Sequence, residues 1–224
     1  MQKILLFIFI TLLLSACNTN PLRSDTQEQK TKIKSAKINA QLGISYLERQ
    51  DVVRAKQKLL LALDQAPTIP ETWYAMAYFL EATGDTSMAK SYYLKAVGLA
   101  PNRGDVQNNY GTYLCRLGHY QEAVQHFMLA VKDANYLNPD DAYENAGICA
   151  LKIPNYAQAD YFFQRAIQFE PTRPVSLIEL AQLNFMKKDY VESEKKLKAF
   201  LKNSPPTAQS NLLKLKLNAI KNES

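Results

Sequence analysis

Three cysteines and two histidines are the residues of this chain best suited to covalent or metal chemistry. His119 and His126 stand seven positions apart and could share a helix face, but no Cys, Asp or Glu pattern around them completes a metal site. They read as a turn residue and a surface residue. The chain has no glycine-rich phosphate loop and no Gly-x-Ser-x-Gly elbow. The expectation is therefore a protein that is not an enzyme, with no cofactor, no metal and no small-molecule substrate. What remains is thiol chemistry, at Cys17 near the start and at Cys115 and Cys149 in the body of the chain.

Cys17 closes a leader. Lys3 supplies a positive charge, Ile4 to Leu14 is an apolar run interrupted only by Thr11, and Leu14-Ser15-Ala16-Cys17 follows. The run is short for a membrane span and reads as the core of a signal peptide over residues 1–16. Its last residues resemble a bacterial lipobox. That resemblance implies diacylation of the Cys17 thiol, cleavage before it and acylation of the new amino group. The plainer alternative is an ordinary signal peptide with a stray cysteine. Two or more acyl chains anchor a protein stably where one is marginal. The same resemblance reads Asn18, where inner-membrane retention would place Asp, as pointing to the outer membrane of a Gram-negative bacterium. The chain would be held to its inner leaflet through acyl chains on Cys17 and would face the periplasm.

The elements that must carry these thiols follow from a repeat. Gly111 has equivalents at Gly43, Ala77, Gly147 and Ala181, separated by 34, 34, 36 and 34 residues. A second small residue recurs at Ala55, Ala89, Ala123, Ala159 and Ser193, a large one at Leu59, Tyr93, Phe127, Phe163 and Leu197, and a helix stop at Pro67, Pro101, Asn135, Pro171 and Pro205. A helix-turn-helix of this period with such a ladder is the tetratricopeptide repeat (TPR) signature. One helix pair cannot bury both apolar faces, so pairs stack, and small residues permit the close approach. The predicted fold class is all-α, a TPR superhelical solenoid of about five to six helix-turn-helix repeats with a C-terminal capping helix.

The domain reading is a signal peptide at 1–16, a lipidated N-terminus and flexible tether at 17–35, and a TPR domain at 36–222. The repeats run 36–69, 70–103, 104–139, 140–173 and 174–207, and a cap helix spans 208–222 with Leu212, Leu213, Leu217 and Ile220 on a broad apolar face. The tether reading rests on polarity, with Leu22 and Ile33 almost the only apolar residues between Asn18 and Ser35. Repeat three carries two extra residues within 133–139, and such insertions map to one edge of a stack. The net charge is +6, and many lysines lie near the C-terminus, from Lys187 to Lys221. Asp189, Glu192 and Glu194 are interspersed, so we read a solvated helix face over a patch for lipid or an acidic partner. No aromatic platform accompanies the lysines, which excludes nucleic acid as the expected partner.

Cys115 and Cys149 end the first helices of adjacent repeats. In an oxidising periplasm this placement favours a disulfide, worth about 3–4 kcal/mol by loop closure. Two buried free thiols are the alternative. The segments carrying them, Asn108-Asn109-Tyr110-Gly111-Thr112-Tyr113-Leu114-Cys115 and Glu144-Asn145-Ala146-Gly147-Ile148-Cys149-Ala150-Leu151, resemble the type IV pilus biogenesis/stability lipoproteins, the PilF/PilW family. The resemblance extends over lipobox, polar N-terminus, repeats and paired cysteines. It implies a pilotin, a lipoprotein that helps the outer-membrane secretin subunit localise, multimerise or remain stable. A general outer-membrane TPR adaptor, scaffolding peptidoglycan hydrolases or outer-membrane protein assembly, is the competing reading.

The TPR resemblance also indicates a working surface, the concave side lined by recurrent positions of each first helix. The candidates are Ile44, Leu47, Tyr74, Tyr78, Glu81, Asn108, Thr112, Ile148 and Leu151, with Arg116, Glu144, Ile178, Gln182 and Phe185 at equivalent places. They mix apolar and aromatic groups with few charges, which suits an apolar or amphipathic segment. Tyr74 and Tyr78, four apart, are the expected anchors. Asn108 has a competing role as a hydrogen-bond partner of a neighbouring helix.

Overall fold

The structure is a computed structural model that describes residues 21–153 and 156–223. The leader and Cys17 lie outside the described residues. The described residues form eleven helices and no strand. They divide into two compact units, one ending at Asp85 and the other beginning at Thr86.

The first unit holds α1 (Pro21–Glu48), α2 (Val52–Gln65) and α3 (Pro70–Ala82). The three pack on one another. Ala36, Ala40, Ala55, Leu59 and Ala62 are buried in it, which is the periodic face expected of an amphipathic pair. Pro70 opens α3 in the first turn, where its missing N–H costs nothing.

The tether reading needs correction here. Residues 21–35, placed in a flexible segment on their polarity, are the first part of α1. Between Pro21 and Gly43 there is no glycine and no further proline, and Gln, Lys and Glu are good helix formers. The packed turns around Ala36 and Ala40 supply the nucleus, and extension adds one hydrogen bond per residue. Lys32 and Glu28, one turn apart, pair at 2.7 Å. Low hydrophobicity makes this stretch solvent-exposed, not irregular.

The second unit holds α4 (Thr86–Leu99), α5 (Gly104–Arg116), α6 (Tyr120–Ala130), α7 (Pro139–Ala150), α8 (Tyr156–Phe169), α9 (Pro174–Met186), α10 (Tyr190–Asn203) and α11 (Ala208–Glu223). The pairs α5–α6, α7–α8 and α9–α10 are hairpins, and each second helix of the first two also packs on the first helix of the next pair. Glycine is required at two of the contacts. A Cβ on Gly111 would fall 2.9 Å from the Phe127 ring, and one on Gly147 would fall 2.6 Å from the Phe163 ring. The small and large columns of the sequence are therefore the two halves of one contact.

Four of the turns between helices share a left-handed residue. Gln50, Gly84, Gly118 and Lys188 have φ between 62° and 93°. In each the following N–H reaches back five residues, as in Asp51 to Tyr46 and Asp189 to Asn184, both at 2.9 Å. Asp51 and Asp189 then cap α2 and α10 by accepting from the N–H groups of Arg54 and Glu192.

The two extra residues of repeat three fold back over the start of α5. Asp133 accepts from the Gly104 N–H at 2.8 Å, and the Tyr136 ring covers Gly104. The last helix, α11, packs on α9 and α10 as α7 packs on α5 and α6, so it takes the place of a further first helix. Leu213 and Leu217 join Leu177, Ile178, Ala181, Leu197 and Phe200 in one core cluster. The broad apolar face predicted for it is narrower in fact. Leu212 is 55% exposed and Ile220 half-buried.

Candidate partner-binding site

The predicted surface residues belong to both units. In the first unit, Ile44 and Leu47 on α1 and Tyr74, Tyr78 and Glu81 on α3 are all half-buried. These helices pack side by side and are joined by Lys37, midway along α1, and Glu71, in the first turn of α3, at 2.7 Å.

In the second unit, Asn108 and Thr112 lie on α5, Ile148 on α7 and Leu151 at its C-terminal end. Ile148 is exposed, and the other three are half-buried. The structure joins α5 to α7 beside them in two ways. Asn145 donates from Nδ2 to Asn108 Oδ1 at 3.1 Å. Cys115 and Cys149 form a disulfide with Cα atoms 5.8 Å apart. The helper role weighed for Asn108 is thus present, and its amide still reaches the half-exposed face. Thr112 spends its hydroxyl on the Asn108 carbonyl at 2.9 Å, which leaves its methyl as the group it can offer.

Two residues grouped with this surface do not line it. Ile178 is 5% exposed and belongs to the core cluster. Glu144 is 7% exposed and is consumed by hydrogen bonds from Arg173 and Ser176. Spacing put both on the same helical face as Ile148, but a neighbouring helix covers that part of it. Arg116, Gln182 and Phe185 remain exposed or half-buried.

His126 differs from its reading as a surface residue. It is half-buried on α6 with its ring edge-on to Tyr110, 4.7 Å between centroids. Gln107 donates its amide N–H to the Pro101 carbonyl, so its Oε1 faces His126 Nδ1 at 2.6 Å and the imidazole donates from Nδ1. Burial holds that imidazole below its ordinary range. His119 stands in the turn before α6, as expected. Among the described residues no group of three or more His, Cys, Asp and Glu could hold a metal ion. Nor is any described helix long and apolar enough to cross a membrane. Several C-terminal lysines find acids of their own: Lys187 with Asp160 at 2.9 Å, Lys195 with Glu192 at 2.8 Å, Lys198 with Glu194 at 3.0 Å and Lys221 with Glu194 at 2.7 Å.

Residues 70–103 match the tetratricopeptide repeat family, and residues 1–18 match the prokaryotic membrane lipoprotein lipid attachment site. The chain is 28% identical to the type IV pilus assembly protein PilF of Pseudomonas aeruginosa over 95% of its own length and 83% of that protein. The structure of Pseudomonas aeruginosa PilF superposes with a TM-score of 0.79 at 26% identity, covering 86% of each chain. That of PilW, a type IV pilus biogenesis factor, gives 0.71 at 26% identity over 81% of this chain and 84% of PilW. The chain is a PilF/PilW-like TPR protein.

For this PilF/PilW-like chain the family match covers repeat two, and a buried column links that repeat to the helices that follow it. Thr72, Val106, Ala142, Ser176 and Ser210 are all at most 1% exposed, at the third position of the repeats that begin at 70, 104, 140 and 174 and of α11. The small-residue ladder did not include this column, because Thr, Val, Ala and Ser share size but not polarity. It extends into α11 through Ser210, which supports reading that helix as half of a sixth repeat. Sequence reasoning also missed Arg173, whose role requires knowing that α7 and α9 start side by side.

Proposed function

We propose that this PilF/PilW-like protein is an outer-membrane lipoprotein pilotin that binds the type IV pilus secretin and promotes its localisation, multimerisation or stability. Its similarity to PilF and PilW and the lipid attachment match at residues 1–18 support a TPR lipoprotein of type IV pilus biogenesis. One observation carries the reading further. Similarity to PilF runs through 95% of the chain, and the same chain joins a lipid attachment match at residues 1–18 to the helical repeats. An anchor fixed to a binding scaffold suits delivery of a partner to a membrane.

The mechanism needs no reacting group. Acyl chains on Cys17 hold the protein at the outer membrane, and half-buried apolar and aromatic side chains on α1 and α3 of the first unit receive a segment of the secretin subunit, with Ile148 and Leu151 of the second unit a separate surface for it. Capture on an anchored scaffold raises the effective concentration of subunits at the membrane. It also covers apolar surface before the ring closes.

The test is whether the secretin still forms heat- and detergent-resistant multimers after deletion of this protein, and after Cys17→Ser. Loss of multimers on deletion, with monomers still made, is expected. Multimers that persist in the Cys17→Ser strain but lie in the inner membrane would assign delivery to the anchor. Unchanged, correctly located multimers in both strains would overturn the proposal and favour a scaffold for cell-wall enzymes.

A further inference from the structure

We infer that α1 makes a second membrane contact, a lysine stripe that lies on anionic lipid headgroups beside the acylated Cys17. The inference rests on the lipoprotein reading of residues 1–18 and adds an orientation to it. It concerns the first unit alone.

Chain length fixes the neighbourhood. Pro21 opens α1 four residues after Cys17, so the helix starts within about 14 Å of the anchor. Residues 26–32 are all exposed, and Ala36 is the first buried residue among those described. About 20 Å of helix therefore stands beyond the packed part of the unit, at the end tied to the membrane.

The register of that helix separates its charges. Lys30, Lys34 and Lys37 are spaced by four and three and share one face. Glu28 and Lys32, two residues to either side of Lys30, fall on the opposite face and pair there at 2.7 Å. Ala36 and Gly43 turn into the unit, and the lysine face points away from them. Lys37 reaches across to Glu71 of α3, which leaves Lys30 and Lys34 for an anion outside the fold. Two apolar residues border the stripe on its far side: Ile38 is 48% exposed and Leu42 40%. Lysines beside exposed aliphatic groups on one helix face suit the boundary between headgroups and acyl chains. The C-terminal lysines differ, since acids stand among them on the same helix and pair with them. An acidic protein would meet the same charges, but the anchor itself brings the lipid surface to this face. Acyl chains already hold the protein stably, so the task of the stripe is orientation. A helix laid along the headgroups fixes the height of α3, which packs on α1 and carries Tyr74 and Tyr78.

The experiment places the mature lipidated protein on vesicles of phosphatidylcholine alone and of phosphatidylcholine with phosphatidylglycerol. A water-soluble amine reagent then labels the lysines, and mass spectrometry reads the rate at each. Lys30 and Lys34 should react at least about threefold more slowly on the phosphatidylglycerol vesicles, and exposed Lys202 equally on both. High salt should restore the faster rate. Lys30→Gln, at an exposed position, should remove at least half of the protection of Lys34. Equal rates on the two vesicles, or protection that high salt leaves intact, would overturn the inference. So would the same protection in neutral detergent micelles, which would give the face to a second copy of the chain. Flotation separates this inference from the reading beneath it. A protein that floats with neither vesicle lacks the anchor, and both fall. One that floats with both but labels equally keeps the anchor and loses the stripe.

Discussion

The Glu144 carboxylate on α7 accepts hydrogen bonds from the backbone N–H and the hydroxyl of Ser176 on α9, at 3.0 and 2.7 Å. A residue of one repeat thereby satisfies an orphan donor in the first turn of the next repeat's helix, where negative charge is also favoured by the helix dipole. Arg173, the residue just before α9, clamps the same carboxylate at 2.6 Å and reaches Asp140 and Asp141 on α7. Removing Arg173 leaves the mostly buried Glu144 carboxylate without a cation, whereas removing Glu144 leaves Arg173 paired with Asp140 and Asp141. Arg173→Ala should cost about 2–4 kcal/mol in urea denaturation, at the low end because the site is not fully sealed, and Glu144→Ala should cost about 1–2 kcal/mol through the lost bonds to Ser176. Glu144→Gln keeps an acceptor for Ser176 and should lose less. A Glu144→Ala variant as stable as the parent would show that the clamp contributes nothing net.

The Cys115–Cys149 bond closes a loop whose ends are 34 residues apart and ties the last turns of α5 and α7. In the chain-entropy model a loop of that length is worth about 3–4 kcal/mol. Denaturation with and without reductant should therefore differ by that amount, and Cys149→Ala should abolish the difference. Cys149 is fully buried, so the variant should also lose a small packing increment that reduction alone does not remove.

Two glycines should respond in opposite directions to alanine. At Gly147 the new methyl meets the Phe163 ring at 2.6 Å, so a ring wedged between helices must shift, at a cost of about 1–3 kcal/mol. At Gly98, near the end of α4, the added methyl meets nothing within 4 Å. Gly98→Ala should stabilise by about 0.5–1 kcal/mol through helix propensity. Thermal melts of the two variants beside the parent decide it.

These sites show what was legible in the sequence. The Gly111 and Phe127 columns could be read because a contact between sizes leaves a mark at fixed spacing in every repeat. The Glu144–Arg173 clamp could not, because it joins residues of neighbouring elements that no fixed spacing relates. The left-handed turn residue is a glycine at Gly84 and Gly118 but leaves no such mark at Gln50 and Lys188, where a side chain tolerates the same backbone. Polarity misled at residues 21–35, since an exposed helix and an irregular segment share a composition and differ only in whether a packed nucleus adjoins them. For the surface residues, helical spacing placed Ile148 and Glu144 within one turn of each other, and only the position of α9 separates the exposed one from the buried one.

His126 makes stability depend on pH. Burial holds its imidazole below the ordinary value of 6.5, and Glu122 opposes this more weakly. As pH falls, the unfolded chain takes up a proton at this position before the folded chain does. The contribution is therefore complete above about 6.5 and is lost as pH falls from there toward the folded value, below which it levels off. Urea stability should decline from about pH 7.5 to 5.5 more steeply in the parent than in His126→Gln, which keeps a hydrogen-bonding group toward Gln107. A matching decline in both would place the pH dependence elsewhere. The titration of the His126 ring by NMR should have its midpoint below 6.5.

The surface beside the disulfide yields the most direct functional prediction. Ile148 is exposed on α7 between the Asn108–Asn145 contact and Cys149, so a charge there disturbs little of the fold. Ile148→Asp should change stability by no more than about 0.5 kcal/mol. If this face receives an apolar segment of the secretin, the same substitution should reduce resistant secretin multimers severalfold, because burying an unpaired carboxylate against an apolar partner is costly. Val191→Asp, on α10 and 77% exposed, is the matched control and should leave multimers unchanged. Immunoblots of unheated and heated membranes, with both variants expressed at parental levels, separate the outcomes. Equal loss in both variants would point to a general effect of charge. Equal retention would mean that the partner is held by α1 and α3 or by another surface, and that the second-unit face near Ile148 serves only to cover the core.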